Sequence, residues 1–250
     1  MPDRPYLSLI LPAYNEAQRI AQTVGEAKAY LGQRGFSHEI IVAADGNDGT
    51  RERVAEMART DPALHVIGSA ERRGKGYGIR QGVMRAQGHI IGFSDADNKT
   101  PIEEFDKLQP WLSQGYELVV GSRALRESRV ERAQPLYRQL GSKAFALFMH
   151  TTVGLRGITD TQCGFKFFQR SVALDLFGRQ KIDGYMFDVE ILYLAERAGY
   201  RIAQVPVRWR DDADSRFGVG EALEDALDIL RIRWWALRNP RPLAAPEESR

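Results

Sequence analysis

The strongest constraint on the fold is a regular alternation of short apolar runs with longer amphipathic segments in residues 1–100. Each apolar run is rich in β-forming residues and is followed by a segment with helical periodicity; the runs are 6–11, 39–44, 64–67 and 89–93. Repeating strand-helix units of ~25 residues are typical of right-handed βαβ connections in a parallel sheet. The chain is therefore predicted to adopt an α/β fold, with a Rossmann-like, mostly parallel central sheet flanked by helices.

The chain beyond residue 100 continues the pattern less regularly. Strands are predicted at 116–120 and 202–207, and helices at about 101–112, 136–149, 187–192 and 220–238. The run 157–168 has no clear periodicity, and the tail 239–250 is predicted to be disordered. Because no repeat or linker separates these segments, we predict one domain over 1–238, with a nucleotide-binding half at 1–100 and an acceptor half at 101–238.

The composition excludes several classes of function. A net charge of +2 over 250 residues does not indicate a nucleic-acid-binding protein. The one cysteine, Cys163, excludes an internal disulfide framework and fits a reducing cytosol. No apolar run approaches the ~20 residues of a membrane-spanning helix, and the polar N-terminus lacks a signal peptide. We therefore expect a cytoplasmic protein that is soluble or peripheral to a membrane.

Two carboxylates, Asp95 and Asp97, follow the fourth apolar run. Residues two apart in an extended segment point the same way, so we expect both side chains to converge on one target. Hard oxygen ligands at the carboxyl end of a parallel strand suit Mg²⁺ or Mn²⁺ carried on a nucleotide diphosphate. An isolated Asp-x-Asp also occurs in ordinary surface loops, so its meaning depends on the neighbouring strand ends.

The other strand ends also carry residues that are suited to binding a nucleotide. Tyr14 is able to stack on a base and Glu16 to accept from a ribose hydroxyl, whereas the alternative is a plain helix start with Asn15 as the N-cap. Asp45 is either a partner for a base edge or part of an Asx turn. Glycines on both sides of Lys75 allow the backbone to approach a phosphate. The conjunction of these features at one sheet edge favours a ligand site.

Taken together, these motifs resemble the family 2 glycosyltransferases with the GT-A fold. The N-terminal motifs are Leu-Pro-Ala-Tyr-Asn-Glu (11–16), Asp-Gly-Asn-Asp-Gly-Thr (45–50), Gly-Lys-Gly (74–76) and Asp-Ala-Asp (95–97). The later motifs are similar to those of dolichyl-phosphate β-glucosyltransferases and other polyprenyl-phosphate hexose synthases. They are Val-Gly-Ser-Arg (120–123), Asp-Thr-Gln-Cys-Gly-Phe-Lys-Phe-Phe (160–168) and Phe-Asp-Val-Glu-Ile-Leu (187–192). The resemblance covers roughly residues 6–235, and 160–168 is the run most specific to the lipid-phosphate branch.

The resemblance implies a donor site and a divalent cation, Mg²⁺ or Mn²⁺. It implies metal ligation by Asp97, together with Asp95, and nucleotide-sugar binding by Pro12, Ala13, Tyr14, Glu16, Asp45, Lys75, Asp95 and Ala96. Two departures stand out. A single Asp45 replaces the usual pair of aspartates, and Lys99 occupies a position where some relatives have a further polar metal ligand.

The acceptor implied by the resemblance is a polyprenyl phosphate, which needs cations more than a general base because its nucleophilic oxygen is already anionic. Arginine suits bidentate phosphate contact. The candidate acceptor-phosphate residues are Arg123, Lys166, Arg208, Arg210 and Arg216. Asp160 is the first candidate for orienting the acceptor or acting as a base, and Asp188 is the second. The alternatives are a turn-stabilising Asp160 and an Asp188 that pairs with arginine on a helix.

Two amphipathic segments bear on where such an acceptor would be met. Residues 136–149 and 223–237 combine an apolar stripe with arginines, and Trp234 and Trp235 suit a membrane interface. The ordinary alternative is that these helices pack on the core. We expect peripheral attachment to the inner face of the membrane.

The expected activity is inverting transfer of a hexose, with glucose from UDP-glucose as the first choice, to a polyprenyl or dolichyl phosphate. One alternative is the same transfer from GDP-mannose, and another is a soluble transferase that acts on a small phosphorylated acid. A third is a catalytically silent protein that binds nucleotide sugars. The sequence leaves open the sugar, the lipid length and the oligomeric state.

Overall fold

A computed structural model describes residues 4–130, 136–155, 157–210 and 219–238. The strands are β1 (Leu7–Tyr14), β2 (His38–Asp45), β3 (Leu64–Ile67), β4 (Ile90–Ser94), β5 (Leu118–Ser122), β6 (Arg129–Val130), β7 (Phe165–Gln169), β8 (Ile202–Pro206) and β9 (Arg208–Trp209). The helices are α1 (Ile20–Gln33), α2 (Thr50–Ala58), α3 (Lys75–Arg85), α4 (Phe105–Ser113), α5 (Leu136–Val153), α6 (Arg170–Arg179), α7 (Phe187–Ala198) and α8 (Val219–Arg238). A short 3-10 helix, Ile102–Glu104, precedes α4.

The core of the fold is one seven-stranded sheet in the order β3-β2-β1-β4-β7-β5-β8. Its neighbouring strands are parallel except around β7, which is antiparallel to both β4 and β5. The short strands β6 and β9 form a separate parallel pair. The predicted α/β fold with a mostly parallel sheet is confirmed.

The first strand runs further than the sequence predicted, through Pro12 to Tyr14. Tyr6 accepts a backbone hydrogen bond from Ile90 of β4 at 2.9 Å. Because alternate residues of a strand face the same neighbour, Pro12 also faces the β4 side. Pairing with β4 ends before it, at the pair Ile10 and Phe93. The missing N–H of proline therefore removes no ladder bond there.

The sequence missed β7 and α6, and it started β5 two residues too early. Tyr116 was assigned to β5, but its N–H donates to Trp111 at the end of α4, at 3.1 Å. The strand β7 shows no alternation of polar and apolar residues because helices cover both faces of the sheet. Phe165 and Phe167 enter one core, whereas Phe168 enters the other.

The two hydrophobic cores lie on opposite faces of the sheet. One is built with residues of α1, α2 and α4, and the other with residues of α3, α5, α6, α7 and α8. The second core contains an aromatic cluster in which Phe93 lies 5.6 Å from Phe187 and 6.5 Å from Phe177, between ring centroids. This packing places the N-terminus of α7 beneath the end of β4.

The helices α5 and α8 pack on this second core through Met149, Val153, Ile229 and Ile232. Large apolar side chains of the same helices remain exposed: Leu147, Phe148, Leu223, Leu227, Leu230, Trp234 and Leu237. We call this set the α5–α8 apolar surface. Core packing is therefore confirmed for part of both helices, whereas attachment to a membrane stays a prediction. Among the described residues, no helix combines the length and the apolar character needed to cross a membrane.

Candidate active site

The candidate site lies beyond the carboxyl ends of β1, β2 and β4. The chain places β2 on one side of β1 and β4 on the other, so the direction of winding changes there. In open α/β sheets, such a switch point leaves a crevice between the neighbouring loops. The predicted donor-site residues of the first three motifs and the pair Asp95 and Asp97 all map to this edge.

At the end of β1, Tyr14 is exposed, and the Arg72 guanidinium lies 4.8 Å from its ring centroid. Asn15 takes a left-handed conformation with φ of 55° and turns the chain out of the strand. It does not cap the following helix, because α1 starts at Ile20 with Arg19 as the N-cap. Pro12 is partly buried and Ala13 is buried, so they form the floor at this strand end.

The loop after β1 is held by Asp48, a residue that the sequence analysis missed. Its carboxylate accepts from the N–H of Ala17 at 2.9 Å and from the N–H of Thr50 at 3.0 Å. The Thr50 hydroxyl in turn accepts from the N–H of Glu16 at 2.9 Å. The Asp-x-Thr spacing is typical of an Asx turn and was a usable signal. These bonds tie the loops after β1 and β2 together.

At the end of β2, Asp45 accepts hydrogen bonds from the backbone of the next loop. The N–H of Ser69 lies 3.2 Å from one carboxylate oxygen, and the N–H of Arg73 lies 2.8 Å from the other. Asp45 thus supports the segment that leads to Lys75. A cleft of about 240 Å³ lies beside it, with Tyr77 in its lining. Contact between Asp45 and a base stays a prediction.

Lys75 is the first residue of α3 and points at the carboxylate pair. Gly74 precedes it with φ of 107°, and a side chain there would collide with the Asp183 carbonyl, so glycine is required. The Lys75 ammonium lies 2.6 Å from Oδ1 of Asp95. Burial alone would lower the pKa of Lys75, but Asp95 and Asp188 outweigh it and raise that pKa. The ammonium therefore stays charged.

The two carboxylates lie in a turn, because β4 ends at Ser94. The prediction that Asp95 and Asp97 both lie in an extended segment is therefore wrong. Both carboxylates nevertheless raise the pKa of Lys75. Ala96 between them is buried, and its carbonyl accepts from the Thr23 hydroxyl at 2.7 Å. Asp97 lies 3.0 Å from the Lys99 ammonium.

The carboxylate oxygens of Asp95 and Asp97 suit a hard divalent cation whose remaining ligands are phosphate or water oxygens. Their side chains are 35% and 23% exposed, respectively. Among the described residues, no group of three or more His, Cys, Asp or Glu side chains forms a metal cage. Mg²⁺ commonly binds proteins through one or two carboxylates together with phosphate and water oxygens.

Arg123, directly after β5, and Asp160, shortly before β7, form a bidentate pair. Nε and one terminal nitrogen of Arg123 each lie 2.8 Å from an Asp160 oxygen, and the Arg123 N–H adds a third bond at 2.8 Å. Burial would raise the pKa of Asp160, but Arg123 outweighs it and lowers that pKa. The guanidinium lies 5.3 Å from the Trp209 ring centroid. This geometry favours an orienting role for Asp160 over that of a base.

Lys166 is placed differently from the prediction that it binds an acceptor phosphate. Its side chain is fully buried, and its ammonium donates to Asp188 at 2.6 Å and to the Cys163 carbonyl at 2.7 Å. Burial raises the pKa of Asp188, although Lys166 and Lys75 oppose this effect. The physical reason for the difference is that β7 lies between two covered faces, so Lys166 neutralises a buried carboxylate. The alternative considered for Asp188 was a pair with an arginine, whereas the structure pairs it with this lysine.

The other predicted phosphate cations follow β8. Arg208 donates through Nε to Glu104 at 2.5 Å, and the N–H of Arg210 donates to the Lys99 carbonyl at 2.9 Å. The segment 208–210 therefore lies directly beside the turn that contains Asp97. Arg216 and the tail 239–250 lie outside the described residues.

A seven-stranded α/β sheet with carboxylates at this crevice matches the GT-A class of glycosyltransferases. Residues 8–177 match Glycosyl transferase family 2. The chain belongs to this family, as the sequence motifs predicted.

Curated relatives extend the likeness over almost the whole chain. A dolichyl-phosphate beta-glucosyltransferase of Trichomonas vaginalis is 36% identical over 244 residues, which cover 92% of this chain and 72% of that protein. The human dolichyl-phosphate beta-glucosyltransferase is 34% identical over 260 residues, which cover 95% of this chain and 79% of that protein.

A solved structure shows the same fold at lower identity. Glucosyl-3-phosphoglycerate synthase of Mycobacterium tuberculosis, solved with Mn²⁺, UDP and phosphoglyceric acid, has a TM-score of 0.68 and 20% identity. The match covers 96% of this chain and 80% of that chain. The predicted GT-A fold is therefore confirmed.

Proposed function

We propose that this protein transfers glucose from UDP-glucose to a dolichyl or other polyprenyl phosphate, with inversion at the sugar carbon. The observation that carries the proposal is the 36% identity, over 92% of this chain, to a dolichyl-phosphate beta-glucosyltransferase. The crevice supports it, because it combines two partly exposed carboxylates with several nearby cations. We assign the nucleotide-binding role to 1–100 and the acceptor role to 101–238.

The donor is proposed to lie across the ends of β1 and β2. Tyr14 and the Arg72 above its ring offer an amphipathic wall for the nucleoside, and the Asp45 cleft offers depth beside it. Glu16 lies in the loop that Asp48 and Thr50 hold in place. This braced loop favours a preformed nucleotide site.

Asp95 and Asp97 are proposed to hold Mg²⁺ or Mn²⁺ together with the donor diphosphate. When bound, such an ion stabilises the negative charge of the departing nucleotide. Lys75 is proposed to add a second positive charge on the diphosphate, because its ammonium already lies 2.6 Å from Asp95. Lys75 and the bound ion would together place positive charge where the leaving group develops negative charge.

The acceptor phosphate is proposed to approach from the side of β5 and β9. Arg123 is held rigidly by Asp160 and Trp209, and Arg208 and Arg210 lie on the segment beside the Asp97 turn. A phosphate oxygen attacks the sugar carbon as the bond from that carbon to the diphosphate oxygen breaks. The nucleophile is already an anion, so the step needs no general base.

Attachment to the cytoplasmic face of a membrane is proposed through the α5–α8 apolar surface. The exposed apolar residues of α8 follow one helical stripe: Leu223, Leu227, Leu230, Trp234 and Leu237. Arg238 stacks on Trp234 with its guanidinium 4.0 Å from the ring centroid, which suits the boundary between lipid tails and anionic headgroups.

Vesicle sedimentation tests this attachment. The protein is expected to sediment with vesicles that contain anionic lipid, and Leu227→Ser/Leu230→Ser to bind at least about ten-fold more weakly because apolar area is lost. Met84→Ser, at an exposed apolar residue of α3, is the control and should bind as the wild type does. Equal binding of all three proteins would contradict the assignment.

A donor panel tests the transfer itself. Purified protein is mixed with Mg²⁺ or Mn²⁺, a short polyprenyl phosphate, and one of UDP-glucose, UDP-galactose, UDP-N-acetylglucosamine or GDP-mannose. Mass spectrometry of the organic extract is expected to show a hexosyl lipid phosphate with UDP-glucose. A product from GDP-mannose alone would replace the donor assignment.

A further inference from the structure

Four aspartates around the crevice are already paired with cations of the protein. Each of the four aspartates assigned to catalysis or to the metal pairs with a cation, at 2.6 to 3.0 Å. The pairs are Asp95 with Lys75, Asp97 with Lys99, Asp160 with Arg123, and Asp188 with Lys166. The formal charges of these eight groups cancel, so the crevice does not present a bare pair of carboxylates to solution.

Two of these cations lie on the carboxylates that are proposed to hold the metal. Lys75 reaches Oδ1 of Asp95, and Lys99 reaches Oδ2 of Asp97. Lys99 is tethered two residues from its partner by a tight turn. The N–H of Lys99 donates to Asp97 at 3.2 Å, and Asn98 between them has φ of 53°. Because the backbone holds the Lys99 ammonium near Asp97, it competes with a cation for the Asp97 carboxylate.

The neutral crevice discriminates between an isolated cation and a cation on a diphosphate. A divalent cation alone must displace ammonium groups and leaves the crevice with an excess of positive charge. The same cation on a dianionic sugar diphosphate adds no net charge, and its phosphate oxygens can receive the displaced ammonium groups. The second arrangement keeps every charge paired.

We propose that Lys99 is an internal counter-ion that keeps Asp95 and Asp97 from binding a divalent cation alone, and so couples cation binding to diphosphate binding. The inference rests on the proposed metal role of these carboxylates. By thermodynamic linkage, the diphosphate raises the affinity for the cation by the same factor as the cation raises the affinity for the diphosphate.

The position of Lys99 explains why it suits this role better than Lys75 does. Lys75 starts α3 and faces the diphosphate in the proposed function. Lys99 follows the carboxylates along the chain, its ammonium lies on Asp97, and its carbonyl accepts from the N–H of Arg210. It therefore acts through Asp97, as a positioning residue. Removing the Lys99 ammonium should leave the negative charge of Asp97 uncompensated without removing an oxygen ligand.

The test is a Mn²⁺ titration followed by electron paramagnetic resonance of free Mn²⁺, with and without UDP. Wild type is expected to bind Mn²⁺ at least about ten-fold more tightly when UDP is present. Lys99→Met is expected to bind Mn²⁺ alone about ten-fold more tightly than wild type does, because a charge 3.0 Å from Asp97 is lost. The effect of UDP should shrink accordingly.

Matched variants separate the possible failures. Lys28→Met removes a lysine from another ion pair, Lys28 with Asp61 at 2.6 Å, and should leave both Mn²⁺ affinities unchanged. Lys99→Gln repeats the test with a polar side chain if Lys99→Met does not fold. If both Lys99 variants bind Mn²⁺ alone as wild type does, the counter-ion inference is overturned while the metal site stands. If wild type with UDP binds no Mn²⁺, or if Asp97→Ala binds it equally well, the metal assignment itself fails.

Discussion

The sheet has two sides along its strand order, β3-β2-β1-β4 and β7-β5-β8, and they use charged residues in opposite ways. On the side of β3, β2, β1 and β4, the carboxylates Asp95 and Asp97 are partly exposed at a crevice. On the side of β7, β5 and β8, the charges of Lys166 and Asp188 are buried and satisfy each other at 2.6 Å. The first side offers groups to a ligand, whereas the second uses them to hold the crevice in shape.

This difference shows that the most distinctive motif of a chain need not be the one exposed to the ligand. The run 160–168 was predicted to be the most specific to the lipid-phosphate branch, yet its residues Asp160, Cys163 and Lys166 are buried. Gly164 in the same run packs so closely that any side chain would strike the Asp95 carboxylate. The run therefore shapes the site from beneath, and the exposed carboxylates are proposed to meet the metal and the donor.

The largest expected effect is the loss of transfer in Asp97→Ala. Because Asp97 lies at the surface of the crevice, the variant should fold normally and lose activity by about a thousand-fold or more. Initial rates of hexosyl-lipid formation, with circular dichroism as the check on folding, measure this. Turnover within a factor of about two of wild type would contradict the metal assignment.

The second expected effect is on folding and concerns the buried pair. Lys166→Met leaves Asp188 without its cation and should lower the free energy of unfolding by about 3 kcal/mol. Urea denaturation measures it. Lys28→Met makes the same change at a more exposed pair and should cost less than about 1 kcal/mol.

A paired replacement sharpens that result. Lys166→Met/Asp188→Leu removes both buried charges and should recover most of the stability, because well-packed apolar side chains can substitute for a buried ion pair. If the double variant is as unstable as Lys166→Met, packing at β7 and not the unpaired carboxylate would be the cause.

The smallest expected effect depends on pH and concerns Glu190, which is buried in α7. Its carboxylate accepts from the N–H groups of Lys181 and Ile182, and burial raises its pKa from 4.5 to about 6. A raised acid pKa means that the folded state binds the proton more tightly, so stability is highest below pH 4.5 and falls as pH rises through about 6. The group should cost about 2 kcal/mol at neutral pH.

Glu190→Gln should therefore lack this loss of stability between pH 4.5 and neutral pH. Urea denaturation of both proteins across that range, with Glu103→Gln at an exposed position as the control, isolates the contribution. Parallel pH profiles for wild type and Glu190→Gln would show that Glu190 is not the titrating group.

The sequence predicted the first side of the sheet well because its strands are regular. The strand β3 was placed at its observed bounds, and the motifs that follow β1, β2 and β4 meet at one edge. A parallel sheet brings strand ends together without any need to know distant contacts. Two exceptions were the extension of β1 to Tyr14 and the turn at Asp95, whose N–H donates to the Gly164 carbonyl far along the chain.

On the second side, β8 was predicted to within one residue of its observed end, but β7 and the burial of Lys166 could not be predicted from local pattern. A lysine within Phe-Lys-Phe-Phe suggests an exposed cation, and only its contact with Asp188, which lies 22 positions later, explains a buried one. The antiparallel insertion of β7 between β4 and β5 is likewise a long-range arrangement. Motif likeness indicated that this run matters, but it did not show which side chains face the ligand.

The most direct test of the proposed function is the fate of labelled glucose when two acceptors compete. Protein, Mn²⁺ and UDP-[¹³C]glucose are mixed with equal amounts of a short polyprenyl phosphate and 3-phosphoglycerate, and the products are separated into organic and aqueous phases. We expect label in a β-linked glucosyl lipid phosphate with wild type and none with Asp97→Ala. Label on phosphoglycerate alone would contradict the lipid acceptor, and an α-linked lipid product would contradict inversion.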